Sequence, residues 1–161
     1  AAMRKLSHID NKSQARMVDV TAKEATLRRA KASGCVTMDK KTLALVEKEK
    51  MTKGNVLGAA RIAGIMAAKK TGEMIPLCHP LALTDIELNL EIDRKKSRVN
   101  IVAEVKTIGR TGVEMEALTA VSVAALTVYD MCKAADKKMV IGEIMLLEKT
   151  GGKSGTFIRK Q

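Results

Sequence analysis

Leu83-Thr84-Asp85-Ile86-Glu87-Leu88-Asn89-Leu90-Glu91-Ile92, followed by Arg94-Lys95-Lys96-Ser97 and by Val99, Ile101, Ala103 and Val105 at alternate positions, is the stretch from which the fold is read. Side chains alternate across a strand, so Ile86, Leu88, Leu90 and Ile92 share one face while Asp85, Glu87 and Glu91 share the other. The polar run 94–97 reads as a turn, and the alternation that follows completes a hairpin with one face for a core and one for solvent.

Working outward, Gly109 and Gly112 flank a second turn, and an Ala/Val/Leu-rich helix of roughly 20 residues is predicted from Val113 to about Ala134. A last strand is predicted over Met139–Lys149. Upstream, a helix over about Gly54–Lys70 is studded with Gly58, Gly64 and five alanines. Glycine is costly inside a helix, so its presence implies close backbone contact with a neighbour. Gly72 is predicted to end that helix, with a loop to Pro80. Asp39 is expected to cap a further helix to about Lys48. From Thr26 to Met38 the chain alternates, with Arg28, Ala30, Ala32, Gly34 and Val36 on one face. Met17-Val18-Asp19-Val20 is expected to pair at a sheet edge, and residues 1–16 to be flexible. Strand, helix, strand, strand, helix, strand is the split βαβ order. The expected fold is therefore α+β: a ferredoxin-like βαββαβ plait with an extra helix, an antiparallel sheet and helices packed on one face. One domain over 1–161 is expected.

Of 161 residues, 46% are hydrophobic and 29% charged, the balance of a globular chain with a real core. The chain has no Trp, one Tyr (Tyr129) and one Phe (Phe157), so packing falls to small aliphatics and ten Met. A net charge of +11 calls for an anionic partner: nucleic acid, membrane surface or a phosphorylated small molecule. The three cysteines, Cys35, Cys78 and Cys132, are far apart and form no CxxC, which argues against a disulfide framework, a structural zinc site or a cluster. No apolar run approaches membrane-spanning length and nothing near Ala1 reads as a signal peptide, so the cytoplasm is the expected compartment.

Several residues carry chemistry. Asp130 and Lys133 share a helical face; by spacing alone they are an exposed ion pair, and if buried an acid/base couple. Glu114 and Glu116 open the long helix, where the dipole favours carboxylates. That explains one of them more easily than both, with Met115 between. His79 lies in Ile75-Pro76-Leu77-Cys78-His79-Pro80, which holds both prolines of the chain and is therefore a conformationally fixed turn. Gly152-Lys153-Ser154 resembles the end of a P-loop, but position 147 is leucine and no helix is predicted after it. Such a turn, with Lys149, can still grip phosphate through amides and charge, as can Lys53 ahead of a helix start. Roughly 21 Å of helix separates Glu116 from Asp130 at 1.5 Å per residue. If both serve one site, two chains meet there, and an interfacial site in a homo-oligomer is predicted. An RNA-binding module is the rival, allowed by charge and element order. Its strands would carry stacking aromatics, and residues 83–106 contain none.

These runs resemble the cyclic pyranopterin monophosphate synthases, the molybdenum cofactor biosynthesis protein C family. The resemblance covers residues 17–155 and rests on Thr37-Met38, Lys53-Gly54, Ala60-Arg61-Ile62-Ala63-Gly64, Ile75 to Pro80, Thr111 to Leu118, Tyr129-Asp130-Met131-Cys132-Lys133 and Gly151-Gly152-Lys153-Ser154-Gly155. It implies conversion of 3',8-cyclo-7,8-dihydro-GTP to cyclic pyranopterin monophosphate and pyrophosphate, with substrate supplied by an upstream radical cyclase. It also implies a homohexamer, a trimer of dimers with interfacial sites, and no nucleic-acid or membrane partner. By matching motif, Asp130, Lys133 and Lys53 resemble the catalytic residues; Leu77, Cys78, His79, Glu114, Met115, Glu116 and Lys149 resemble substrate-binding residues. Lys153 or Arg28 can join Lys53, His79 and Lys149 in neutralising a triphosphate. No cofactor is required, no metal ligand is assigned, and Mg²⁺ is expected only as a companion of the triphosphate. Two departures stand out: Asn55 where the family pattern has Asp, and Arg110 where it commonly has Lys.

Overall fold

The computed structural model describes residues 15–160, in the order β1 (Thr26–Thr37), α1 (Lys40–Glu47), α2 (Val56–Lys69), α3 (Thr71–Met74), β2 (Leu83–Asp93), β3 (Arg98–Gly109), α4 (Glu114–Cys132), β4 (Val140–Thr150) and β5 (Phe157–Ile158). Of the residues 1–16 expected to be flexible, 1–14 lie outside the described residues. The strands form one sheet, β2-β3-β1-β4-β5, in which every neighbouring pair is antiparallel. β1 thus lies between β3 and β4, so each of its flanking crossovers is a split βαβ unit, as the ferredoxin-like expectation required.

The alternation read in the sequence sets which face is buried. Ala30, Ala32 and Val36 of β1, Val99, Ile101, Ala103 and Val105 of β3, and Leu88 and Leu90 of β2 point into one core. They meet Ala117, Ala120, Val121, Ala124, Ala125, Val128 and Cys132 of α4. None of the buried hydrophobic side chains is aromatic, so helices and sheet approach closely. Gly64 of α2 lies at a close approach to α4 and the sheet: a Cβ there would lie 2.8 Å from the Ala120 carbonyl oxygen and 3.0 Å from Leu88 Cδ2. Gly64→Ala is therefore expected to destabilise by about 1–3 kcal/mol through overpacking, despite alanine's higher helix propensity. A denaturant midpoint equal to or above wild type would show that α2 and α4 separate freely.

The opposite sheet face is a lattice of ion pairs. Arg29 bridges Glu104 (2.6 Å) and Glu148 (3.1 Å), Lys106 meets Asp85 (2.9 Å), and Arg98 meets Glu143 (2.8 Å). Arg29, Arg98 and Lys106 there are matched by carboxylates, and β2 and β3 present no aromatic platform.

Several expectations need correction. α2 ends at Lys69, and Gly72 lies inside the one-turn α3, where a Cβ would meet Pro80 Cα at 3.0 Å. Its role is contact rather than termination. Asp39 stands at the N-cap of α1 but accepts no capping bond; its own N–H donates to Asp136 Oδ2 (2.9 Å). Met17–Val20 is not a strand; the Val18 carbonyl is instead taken by a side chain. β5 was not foreseen, because Phe157-Ile158 is too short for a periodic signal and pairs only with Glu148–Lys149. α4 is long and apolar enough to span a membrane by length and composition, contrary to the expectation for the chain. Half of its apolar window is buried inside the fold, as befits a core helix.

Candidate active site

Helix α4 carries chemistry at both ends. At its C-terminal end Asp130 is held between two ammonium groups. Lys133 Nζ lies 2.7 Å from Oδ1 and Lys53 Nζ 2.6 Å from Oδ2, and Lys53 also donates to the Asp130 carbonyl (3.2 Å). Lys53 reaches there from the turn before α2, whose first turn is capped by Asn55 Oδ1 accepting from Gly58 N–H (2.7 Å). Asn55 Nδ2 also donates to Glu49 (3.2 Å), a bond that the aspartate of the family pattern cannot make. The two lysines, Lys133 foremost, hold the Asp130 carboxyl at about 2. Asp130 in turn pushes Lys133 up. All three side chains are about half exposed in the single chain, so the cluster faces outward and is open to a further surface.

At the N-terminal end, Leu77, Cys78 and His79 from the proline-bounded loop join Glu114, Met115 and Glu116 around a cavity of about 390 Å³. His79 Nε2 lies 2.8 Å from the Val18 carbonyl. Only a protonated Nε2 makes that bond, so in the neutral ring Nδ1 is the free acceptor. Glu116 is 4% exposed. Burial, reinforced by the neighbouring charge of Glu114, raises its carboxyl to about 7. Burial and then Glu116 push the Cys78 thiol up, so Cys78 is a neutral wall residue rather than a thiolate.

An adjoining cavity of about 810 Å³ contains Lys149, together with Lys23, Arg28, Arg110 and Lys153. Lys23, Thr111, Gly112 and Glu114 line both cavities, so the two adjoin: the smaller has a buried acid, the larger is basic. The turn after β4 leads into β5 rather than a helix, and Lys149 Nζ contacts Ser154 Oγ within it.

The structure thus gathers Leu77, Cys78, His79, Glu114, Met115, Glu116 and Lys149 at one end of α4, and Lys53, Asp130 and Lys133 at the other. It does not bring the two groups together within one chain, because the helix between them has 19 residues and spans about 28 Å. Lys23 and Thr111 were missed. Lys23 lies in an irregular segment that gives no periodic signal. Arg28 had a visible signal: it is the charge on an otherwise small, apolar strand face.

The MoaC family model matches residues 17–152. The chain belongs to the MoaC family. It is 61% identical over 155 residues to the cyclic pyranopterin monophosphate synthase of Pelotomaculum thermopropionicum, covering 96% of this chain and 91% of that protein. It is 58% identical over 156 residues to the protein of the same name from Heliobacterium modesticaldum (97% and 98% covered). With that from Parvibaculum lavamentivorans it shares 57% over 159 residues (99% and 99%). Every site residue discussed above, save Lys153 and Ser154, lies within the part of the chain that the MoaC model matches.

The raised Glu116 of this MoaC chain has a measurable consequence. Its carboxyl titrates near 7 when folded against an ordinary 4.5, so the folded state holds a proton that the unfolded state releases between those values. Stability falls as pH rises through that window, by roughly 3 kcal/mol across it. Glu116→Gln removes the penalty. The variant is expected to gain stability over wild type at pH 8 and not at pH 4.5. An equal difference at both pH values would place the titration elsewhere.

Proposed function

We infer that this MoaC chain is a cyclic pyranopterin monophosphate synthase, converting 3',8-cyclo-7,8-dihydro-GTP to cyclic pyranopterin monophosphate with release of pyrophosphate. The observation that carries this reading is the near full-length match to proteins of that name. The paired cavities support it: a nucleotide triphosphate needs a basic wall for its phosphates and a narrower polar end for its base.

In this reading Lys149, Lys153, Arg28, Lys23 and Arg110 neutralise the triphosphate. Glu114 or Glu116 holds the guanine edge, whose N–H groups favour an ionised carboxylate, so base binding draws the proton from Glu116. Leu77 and Met115 pack the ring, and His79 offers Nδ1 as an acceptor. The five-membered purine ring opens and the pterin recloses through proton transfers, for which Lys133, Asp130 and Lys53 are the acid and base groups. A ribose hydroxyl then attacks the α-phosphorus. One O–P bond forms, the bond to the β-phosphate oxygen breaks, the hydroxyl proton leaves to a base, and pyrophosphate departs with its charge balanced by the lysines. No electrons leave the substrate, so no redox cofactor is called for. A Mg²⁺ would arrive on the triphosphate, held by phosphate oxygens.

The two ends of α4 contribute to one site only if different subunits supply them. The separation of those ends supports a site at a subunit interface, and the family resemblance implies that the assembly is a homohexamer, a trimer of dimers. Substrate comes from an upstream radical cyclase, and the protein acts in the cytoplasm. The test is turnover: purified protein given 3',8-cyclo-7,8-dihydro-GTP should release pyrophosphate and yield the fluorescent oxidised pterin in equal amounts. A folded, assembled protein that yields neither overturns the reading.

A further inference from the structure

The buried face of β1 runs Arg28, Ala30, Ala32, Gly34, Val36, and only its first member is charged. Arg28 is 8% exposed. Its Nε donates to the Gly109 carbonyl (3.2 Å) and its Nη2 to the Arg110 carbonyl (3.4 Å). Those carbonyls belong to the end of β3 and the turn that leads to Glu114. The other side of the guanidinium is covered by the turn after β4. There Gly151 and Gly152 take φ of +92° and +73°. A Cβ on Gly152 would land on Arg28 Nη1 and lie 2.6 Å from Cζ. Arg28 is therefore clasped between the two loops that face each other across the basic cavity.

We propose that Gly152 is a positioning residue for the phosphate-binding wall. Lacking a Cβ, it lets the Arg28 guanidinium dock on both the Gly109 and Arg110 carbonyls, and so fixes the loop carrying Arg110 and Thr111 relative to the loop carrying Lys153. The inference deepens the reading of the basic cavity as the triphosphate site and rests on it. Left-handed backbone alone does not account for the glycine. Gly155, in the same turn, has φ +65°, yet a Cβ there would meet nothing within 4 Å. It is a built-in control for backbone strain without the contact.

The experiment compares Gly152→Ala with Gly155→Ala in the full chain. Three readouts are taken: inorganic pyrophosphate affinity by calorimetry, the split between KM and kcat, and amide hydrogen exchange over residues 109–112. Gly152→Ala is expected to weaken pyrophosphate binding and raise KM by about tenfold, the scale of one charge-assisted hydrogen bond. It should leave kcat within about twofold and quicken exchange at 109–112. Gly155→Ala should do none of these. In an Arg28→Lys background, where the side chain ends short of the Nη1 position, adding Gly152→Ala should change little further, which is the signature of coupling. The proposal falls if Gly152→Ala behaves like Gly155→Ala, or if its effect persists undiminished in the Arg28→Lys background. If Gly152→Ala does not fold, folding of the double variant supports the contact and its failure overturns it. If wild type binds no pyrophosphate, the phosphate reading of the cavity fails, while exchange at 109–112 still decides the Arg28–Gly152 contact.

Discussion

Lys133→Ala lowers the rate of pyrophosphate release by roughly 10²–10⁴-fold, the range of a lost general acid or base, and leaves the melting temperature unchanged. The second half of that expectation follows from position. Lys133 is the C-cap of α4, its side chain is 52% exposed, and its partner Asp130 is 53% exposed. An ion pair so open to solvent holds little of the fold together. The first half follows from the charge pattern. Asp130 pushes Lys133 up and so keeps it protonated, which leaves Lys133 ready in the resting chain to donate a proton rather than take one. Asp130→Asn removes the charge that pushes Lys133 up, and the alkaline limb of the rate profile should move to lower pH. Lys133→Ala with full activity, in protein that melts as wild type does, would remove this cluster from the chemistry.

The second large effect is gained by mixing. His79→Ala and Lys133→Ala, each nearly inactive alone, are expected to recover about a quarter of wild-type activity when co-expressed in equal amounts, because random assembly gives that share of interfacial sites with both halves intact. The physical basis is the length of α4. A rigid helix of 19 residues cannot fold back on itself, so His79 and Lys133 are kept apart in every copy. Recovery requires co-assembled subunits, which differential tags would verify. Verified mixed oligomers that stay inactive would mean that the two ends of the helix do not serve a common site.

The fold was legible because its decisive signals are local. Alternation in β2 and β3 places the apolar face without knowledge of the rest of the chain, and the small residues of α2 and α4 announce helices that pack closely. What was not legible depends on distant partners. The cap expected of Asp39 is not made, and the bond that does hold this residue, from its backbone N–H to Asp136, comes from far along the chain. Gly72 reads as a stop signal, since nothing in sequence shows Pro80 lying against it. β5 exists only because β4 offers an edge. The site follows the same division. Lys133 lies one helical turn from Asp130, so their pairing is visible in spacing; Lys53, arriving from another element, is not. The basic cavity is made by loops from three regions, and of its walls two leave a local trace: the glycine-rich basic turn Gly152-Lys153-Ser154 with Lys149, and Arg28, a charge on an apolar face.

The aromatic-poor composition that shaped the core also makes the protein nearly dark. Without tryptophan, ultraviolet emission comes essentially from Tyr129, which sits next to Asp130 and whose hydroxyl donates to the Lys137 carbonyl (3.1 Å). Occupancy of the cationic cluster can therefore be watched through one native fluorophore, and a bound pterin would be seen against almost no protein background.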